Sequence, residues 1–575
     1  MFGQAMNIFS VGFGLDPVIL SWCIMLPRLV DGIVDPMIGH WSDNMHSKWG
    51  RRKPFLFVGA ILGACFLSAL WWASPTWPHA IQFLFLGIVG MCLYLCYGTY
   101  TMAWNAIGYE LSDDYHERSR IQAVSGLFLA VMVLLNSWVY WLALRPTFGG
   151  VVWGMRWIGL IIAAMIVASA LVVLMSTRER FTETNRTHVA LIPALRATIR
   201  NRPFVILLLM KLFEVFGGRL TSGVLFFLSI YYVCRGDQDL GTRIAGIAAT
   251  LGAIWSFAVL PFVKSVSVWI GKRGALIVGA GFNFAAALAS PFLTTPEHPY
   301  WSLIPALVIT PFLALSALIA NAIVPDICDL DELQSGQRRE GLFTSVMAFV
   351  SKIEISLAVM LVGYLVAWSG VDTGISLRWQ EAASGHGGDK FAAGERAVFA
   401  FHDTAPASFE TFTLRGNARS VELFVGDESP TKGFRSLGKL SMTADGTQSW
   451  KLPPATAKYF KIELSGEPSQ GTFRVEEIGL FAISGGANLL TTAAGGQLVA
   501  AEPPTVVSHR LYWLVMIPGI IFTGLTLAMA ILFPLRESSV REIHEKLERI
   551  RRSNELAGLP AASSPAPDTK IPAQT

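Results

Sequence analysis

The chain has 575 residues, of which 53% are hydrophobic and only 15% charged, with a mean hydropathy of +0.48. A soluble globular protein carries roughly 25% charged residues, so a water-soluble globule is excluded as the main body, and a bilayer is the solvent that this composition suits. The formal net charge of +4 excludes nothing by itself, because in a membrane protein the placement of Lys and Arg carries the information.

In chain order, apolar runs fall near 17–42, 54–73, 80–107, 121–143, 155–176, 204–232, 243–264, 274–294, 300–325, 342–369 and 509–534. Each is long enough to cross a bilayer as a helix, which predicts eleven full spans. The N-terminus has neither a basic n-region nor a small-residue cleavage site, so no cleavable leader is expected. The six cysteines lie in or beside apolar runs, with no CxxC pair in a polar segment, which suggests neither a zinc site nor a disulfide framework.

The loops alternate in charge. One set is basic: Lys48, Arg51, Arg52 and Lys53, then Arg118 and Arg120, the stretch from Arg178 to Arg202, Lys264, Lys272 and Arg273, Arg338 and Arg339, and the tail from Arg536. The intervening loops, such as Ser74–His79 and Thr294–Tyr300, are short and nearly uncharged. The positive-inside rule places the basic set and the C-terminus in the cytoplasm and residues 371–508 outside. The expected division is therefore 1–176 as the N-terminal transmembrane half, 177–202 as a cytoplasmic linker, and 203–370 as most of the C-terminal half. An extracytoplasmic insertion follows at 371–508, then a last transmembrane helix at 509–534 and a cytoplasmic amphipathic helix and disordered tail at 535–575.

The insertion breaks the apolar pattern. Alternating runs at Ser420–Val425 and Tyr459–Leu464 are separated by turn signals at Gly426-Asp427, Asp445-Gly446 and Gly466–Pro468. Period-2 alternation at that spacing predicts a small antiparallel β-sandwich. Arg536–Leu556 has helical apolar spacing, and the Pro/Ala/Ser-rich end should be disordered.

Charged residues inside spans are the candidates for chemistry. Asp31 and Asp35 are four apart in LVDGIVDPMIG and share a helix face. An ionised carboxylate there costs roughly 2.5–3.5 kcal/mol on insertion scales, and two on one face repel unless a cation or proton sits between them. That predicts a coupling site for H+ or Na+, with Na+ as the one metal ion to consider. The alternative is that Asp35 caps a helix break at Pro36 while Asp31 pairs with a neighbouring helix. Lys352, in VMAFVSKIEISLAVML, is the matching cation; the alternative is a structural bridge to Glu354 or Glu214. Glu214 and Lys211 are functional candidates by the same rule, or an internal ion pair. Trp104, with Asn105 beside it and Tyr97 and Tyr100 at helical spacing before it, could stack on a pyranose; packing is the competing reading. Asp43, Arg51 and Arg52 in GHWSDNMHSKWGRRK can clasp helix ends when a cytoplasmic gate shuts, and Pro261–Arg273 is a weak echo in the second half.

DGIVDPMIGHWSDNMHSKWGRRKPF, AWNAIGYELSDDYHERSR, RNRPF and VPDICDLDELQSGQRREGLFTS resemble, in order, signatures of the glycoside–pentoside–hexuronide:cation symporters, the melibiose-permease-like branch of the major facilitator superfamily. The resemblance implies an all-α membrane protein of two six-helix halves that takes up sugar with sodium or protons. It implies that Asp31 and Asp35 bind the coupling cation, that Lys352 sits beside them, and that Trp104 stacks on the sugar. Four positions depart from the pattern. Val34 and Tyr97 stand where a melibiose-type sodium site has Asn and Thr, which turns the expectation towards a proton. Tyr100 stands where the family has a sugar-binding Asp, and Ser125 or Gly126 where it has an Arg. Met1–Gly14 looks like only the outer end of the family's first helix, which suggests a mis-called start or a fragment. The insertion resembles a discoidin or galactose-binding-like sandwich over about residues 395–485, with SVELFVGDES and KYFKIELSG as its clearest segments.

These readings converge on a cation:sugar or small-glycoside symporter of the inner plasma membrane, not an enzyme and with no cofactor. The expected partners are the sugar, the lipid bilayer and a glycan ligand of the inserted domain. No nucleic acid partner is expected, and the chain should be a monomer. A lipid or lysolipid transporter of the same fold and a transporter-derived glycan sensor are the competing functions.

Overall fold

In a computed structural model of the chain, the residues described are 5–45, 47, 50, 52–74, 77–111, 115–177, 201–335, 340–401, 406–418, 420–441, 446–465, 473–482 and 486–556. Twelve helices of eight residues or more appear among them. They are α1 (Pro17–Asn44), α2 (Lys53–Leu70), α3 (His79–Glu110), α4 (Tyr115–Ala143), α5 (Val151–Ser176), α6 (Arg202–Leu228), α7 (Gln238–Leu293), α8 (Leu303–Ser335), α9 (Glu340–Ser369), α10 (Ile375–Ala383), α11 (Thr505–Leu532) and α12 (Glu537–Leu556). A short helical segment over Ala5–Asn7, widened over Ile8–Gly12, packs its Phe9 ring on Trp71 at 5.1 Å.

Local chemistry explains several starts and breaks. Asp16 caps α1, its carboxylate accepting from the N–H groups of Val18 at 2.8 Å and Ile19 at 3.0 Å, with Pro17 preset at the first helical position. Asn201 and Asp237 cap α6 and α7 in the same way. Gly271, at φ 72°, interrupts α7, which carries two apolar stretches, Gln238–Val259 and Trp269–Leu293.

Nine described helical stretches are long and apolar enough to cross a membrane. The eleven runs in the sequence are these nine plus α1 and α6. Those two also carry intramembrane charges: Arg28, Asp31 and Asp35 in α1, and Lys211, Glu214 and Arg219 in α6. Helices α1–α5 pack among themselves, as do α6–α9 with α11; α1 against α9 and α4 against α7 join the two sets.

The described residues of 389–502 hold nine strands: β1 (Asp389–Phe391), β2 (Arg396–Ala400), β3 (Ala407–Gly416), β4 (Ser420–Gly426), β5 (Phe434–Ser441), β6 (Gly446–Ala457), β7 (Tyr459–Ser465), β8 (Phe473–Ala482) and β9 (Gln497–Glu502). They form two antiparallel sheets, ordered β1-β8-β3-β6 and β5-β4-β7-β2-β9. The two clearest runs of the sequence, β4 and β7, are direct neighbours, with Val421 opposite Leu464, Leu423 opposite Ile462 and Val425 opposite Phe460. These side chains and Phe409, Phe412, Val475, Ile478 and Leu480 are fully buried between the sheets.

A helix sits where the sequence reading expects only sandwich. α10 buries Ile375, Trp379, Ala382 and Ala383 on one face, and Trp379 meets Phe391 at 5.0 Å. Its apolar stripe caps the sandwich on the side of the bundle. That side is called the sandwich end below; α12 lies at the other end, its Ile543 and Leu547 buried with Ile323 and Ile327 of α8. The residues 178–200 of the expected linker and 557–575 of the expected tail lie outside the described residues.

Candidate functional site

Helix α1 runs through Pro36 without a break, so Asp35 caps nothing. Four residues apart, Asp31 and Asp35 both turn to α9, where the Lys352 ammonium donates to Asp31 Oδ2 at 3.0 Å and to Asp35 Oδ2 at closer range. Fourteen residues of helix separate Asp31 from Pro17, so the pair lies roughly 21 Å below the sandwich end at 1.5 Å per residue. That distance is less than the ~30 Å thickness of a hydrocarbon layer. Asp31 is 5% exposed.

The second oxygen of each carboxylate is left over. Asp31 Oδ1 and Asp35 Oδ1 are buried and accept no hydrogen bond from the described residues. Both point at Gly98 of α3: a Cβ built there would collide with Asp31 Oδ1 and lie 2.7 Å from Asp35 Oδ1. The missing side chain of Gly98 therefore opens the space in which two acceptors converge. Two carboxylates and one ammonium carry a net charge of −1, and two unpartnered buried acceptors favour one added positive charge.

Other charges surround this centre. Arg28, one turn before Asp31, is hydrogen-bonded with the Tyr94 hydroxyl of α3 and lies near Arg219 of α6. Arg219 in turn lies near Glu354, which is 2% exposed and also near Lys211 and Glu214. Lys211 and Glu214 form no ion pair with each other. The Lys211 ammonium donates to Asn321 of α8 at 3.0 Å, and Ser316 of α8 stands beside Glu214. Four cations (Arg28, Lys211, Arg219, Lys352) thus offset four carboxylates (Asp31, Asp35, Glu214, Glu354) on three helices. The sequence reading overlooks Arg28 and Arg219, although the rule that singles out intramembrane charges applies to them equally.

The aromatic residues divide. Trp104 is 40% exposed and Tyr97 56% exposed, while Tyr100 is half-buried against the cluster of Phe55, Leu56, Ala60 and Ala103. Tyr100 and Trp104 stack at 6.2 Å with 14° between their planes. Asn105 is exposed. Among the gating candidates, Arg52 is buried at the N-terminus of α2; Arg51 and the side chain of Asp43 lie outside the described residues.

At the sandwich end the two helix sets are shut against each other. Arg145, just past α4, pairs with Asp239 of α7. The Tyr140 hydroxyl donates to Gln238 at 3.3 Å, the Trp138 indole to Thr250 at 2.9 Å, and the Trp22 indole of α1 to Tyr364 of α9 at 3.3 Å. Gly363 of α9 lies so close to α1 that a Cβ would be 2.5 Å from the Pro17 carbonyl.

The family model for MFS/sugar transport proteins matches residues 9–384, more than half of the sequence. An uncharacterized symporter of Synechocystis sp. is 23% identical over 447 residues, covering 62% of this chain and 80% of that one. A glucuronide carrier protein homolog of Escherichia coli is 22% identical, covering 62% and 77%. An isoprimeverose transporter of Lactiplantibacillus pentosus is 24% identical, covering 64% and 75%.

Proposed function

This chain belongs to the MFS/sugar transport protein family, and from that premise we propose that it is a multi-pass membrane symporter that couples uptake of a sugar or small glycoside to a cation. The observation that carries this reading is the convergence of Asp31 Oδ1 and Asp35 Oδ1 over Gly98, beside Lys352. A transporter that only let its substrate run downhill has no use for so costly a group of charges in the bilayer. The relatives named for a glucuronide carrier and an isoprimeverose transporter support a sugar or glycoside as cargo.

The coupling follows from charge. Without a cation the Asp pair holds Lys352, and so ties α1 to α9 across the two helix sets. A cation placed between the two Oδ1 atoms competes with Lys352 for the same carboxylates and loosens that tie. We assign the cation as a proton: two converging oxygens can share one, whereas Na+ needs several more oxygen ligands; Val34 has no side-chain oxygen, and the Tyr97 hydroxyl sits at the far end of a ring instead of on Cβ as in Thr. Trp104 and Asn105 are assigned to the sugar and Glu214 to its hydroxyls, with Tyr100 supporting the Trp104 ring. The closed sandwich end is taken as extracytoplasmic, with α12 in the cytoplasm, in keeping with the basic loops, and the chain as a monomer. Alternating access then exchanges the contacts of Arg145 and Asp239 for a clasp at the opposite end.

Entrance counterflow in proteoliposomes tests the substrate class. Exchange of labelled mono- or disaccharides supports the reading; exchange of lysolipid but no sugar would favour the amphiphile transporter instead.

A further inference from the structure

A second charged site lies on the sandwich, away from the bundle centre. Strand alternation sends Ala397, Phe399, Phe460 and Ile462 into the core and leaves Arg396, Lys461 and Glu463 on the outer face of the five-stranded sheet. Arg396 and Lys461, with Glu502 of β9, Phe434 of β5 and Thr431 of the β4–β5 connection, line a cleft of about 40 Å³. Arg235, from the loop between α6 and α7, lines it as well.

Arg235 is held there by its backbone. It adopts φ 51°, the left-handed region, and the next two residues join the sheet: the Gly236 carbonyl accepts the Ala501 N–H at 3.3 Å, and Asp237 bridges to Ala500. A Cβ at Gly236 would lie 2.8 Å from the Ala501 nitrogen, so this approach needs glycine.

The cleft has more cation than anion. Arg396 is matched by Glu463 at 2.9 Å and Glu502 at 3.2 Å. The half-buried Lys461 ammonium lies over the Phe424 ring at 5.0 Å and the Phe434 ring at 5.5 Å, and no carboxylate among the described residues comes within 4 Å of it. Arg235 is likewise without an acidic partner among the described residues. Three cations against two carboxylates leave a charge of +1. Burial pulls the Lys461 amine below its ordinary pKa and repulsion from Arg396 and Arg235 adds to this, while Glu463 and Glu502 pull the other way. A cation so placed gains from an anion that accepts its hydrogen bonds.

We propose that this cleft binds the carboxylate of a uronic acid residue, held between Lys461 of the sandwich and Arg235 of the membrane bundle. A volume of about 40 Å³ takes one or two water-sized groups. It therefore takes a carboxylate and leaves the sugar ring outside, against Phe434 and Thr431. The bound group joins the two parts of the chain four residues before Asp239, which closes the sandwich end with Arg145. The choice of a sugar acid rests on the sugar-transport reading; the anion site does not.

Hydrogen–deuterium exchange on the full chain in detergent micelles, with glucuronate, glucose or inorganic phosphate added separately, tests this. Glucuronate is expected to slow exchange over residues 230–240 and 427–434, and glucose to leave both unchanged. Lys461→Met, and Arg235→Asn as a variant that tolerates the left-handed backbone, should each weaken half-saturation about tenfold. Equal protection by phosphate would overturn the uronate assignment and leave an adventitious ion only. Absence of protection by glucuronate would overturn the site, whatever sugar uptake shows; protection that persists in a protein unable to transport sugar would uphold the site and sink the transport reading alone.

Discussion

Gly98 of α3 faces Asp31 of α1 so closely that any side chain at this position would occupy the space now shared by the free oxygens of Asp31 and Asp35. On the proposed coupling, this glycine is the spacer that leaves room for the cation. Gly98→Ala should therefore abolish cation-driven accumulation while the protein still inserts and folds, since its cost falls on two movable carboxylates. Purification in normal yield with full accumulation would remove Gly98 from the site.

Closure at the sandwich end rests partly on Arg145 and Asp239, which are 30% and 49% exposed and so worth only about 0.2–1 kcal/mol. Arg145→Glu should open that end and raise impermeant-maleimide labelling of a cysteine placed at the buried Ser21, in a background with the native cysteines replaced, by roughly two- to fivefold. Adding Asp239→Arg should restore the low rate. Labelling that ignores both changes would mean that the aromatic contacts of Trp138, Tyr140 and Trp22 close this end alone.

Trp104 has an exposed ring backed by Tyr100. Trp104→Ala is expected to raise the half-saturation for sugar about tenfold, while Trp104→Phe recovers most of it. Equal affinity in all three proteins would assign Trp104 to packing.

In the sandwich, Glu395 is buried beside Arg378 at 3.3 Å and accepts the Ala392 N–H at 2.9 Å. Burial pushes its carboxyl up from the ordinary 4.5 to about 7; Asp372 nearby adds to the rise, while Arg378 and the Ala392 N–H pull the other way. The folded state thus keeps a proton that the unfolded chain gives up. Its contribution is complete below pH 4.5 and is lost as pH rises to about 7. Glu395→Gln keeps an oxygen for Ala392, so it should raise the melting temperature of the sandwich at pH 8 and flatten its fall between pH 5 and 8. An unchanged pH slope in the variant would contradict this.

Much of the fold and part of the site were legible in the sequence. Apolar run length marks the spans because the bilayer thickness sets it, and Val421–Val425 and Phe460–Leu464 alternate because each strand has one buried face. The meeting of Lys352 with Asp31 and Asp35 was legible from the cost of an unpaired charge. What was not legible depends on which helices end up adjacent: Lys211 turns to Asn321 of α8 instead of Glu214 on its own helix, and Arg145 finds Asp239 across the two sets. Arg28 and Arg219 were within reach of the same charge rule, but their proximity is a property of the packed bundle. α10 was masked by the polar stretch around it, since nine residues are too few to show a clear helical period.

Proton-driven uptake is the most direct test of the central claim. Labelled sugars, from monosaccharides to short oligosaccharides, would be offered to proteoliposomes holding the wild-type protein or Asp35→Asn, under a pH gradient or a sodium gradient imposed separately. The expected result is accumulation by the wild type under the pH gradient alone, none by Asp35→Asn, and residual downhill exchange in that variant. Accumulation driven only by sodium would contradict the proton assignment, and normal accumulation by Asp35→Asn would contradict the coupling site itself.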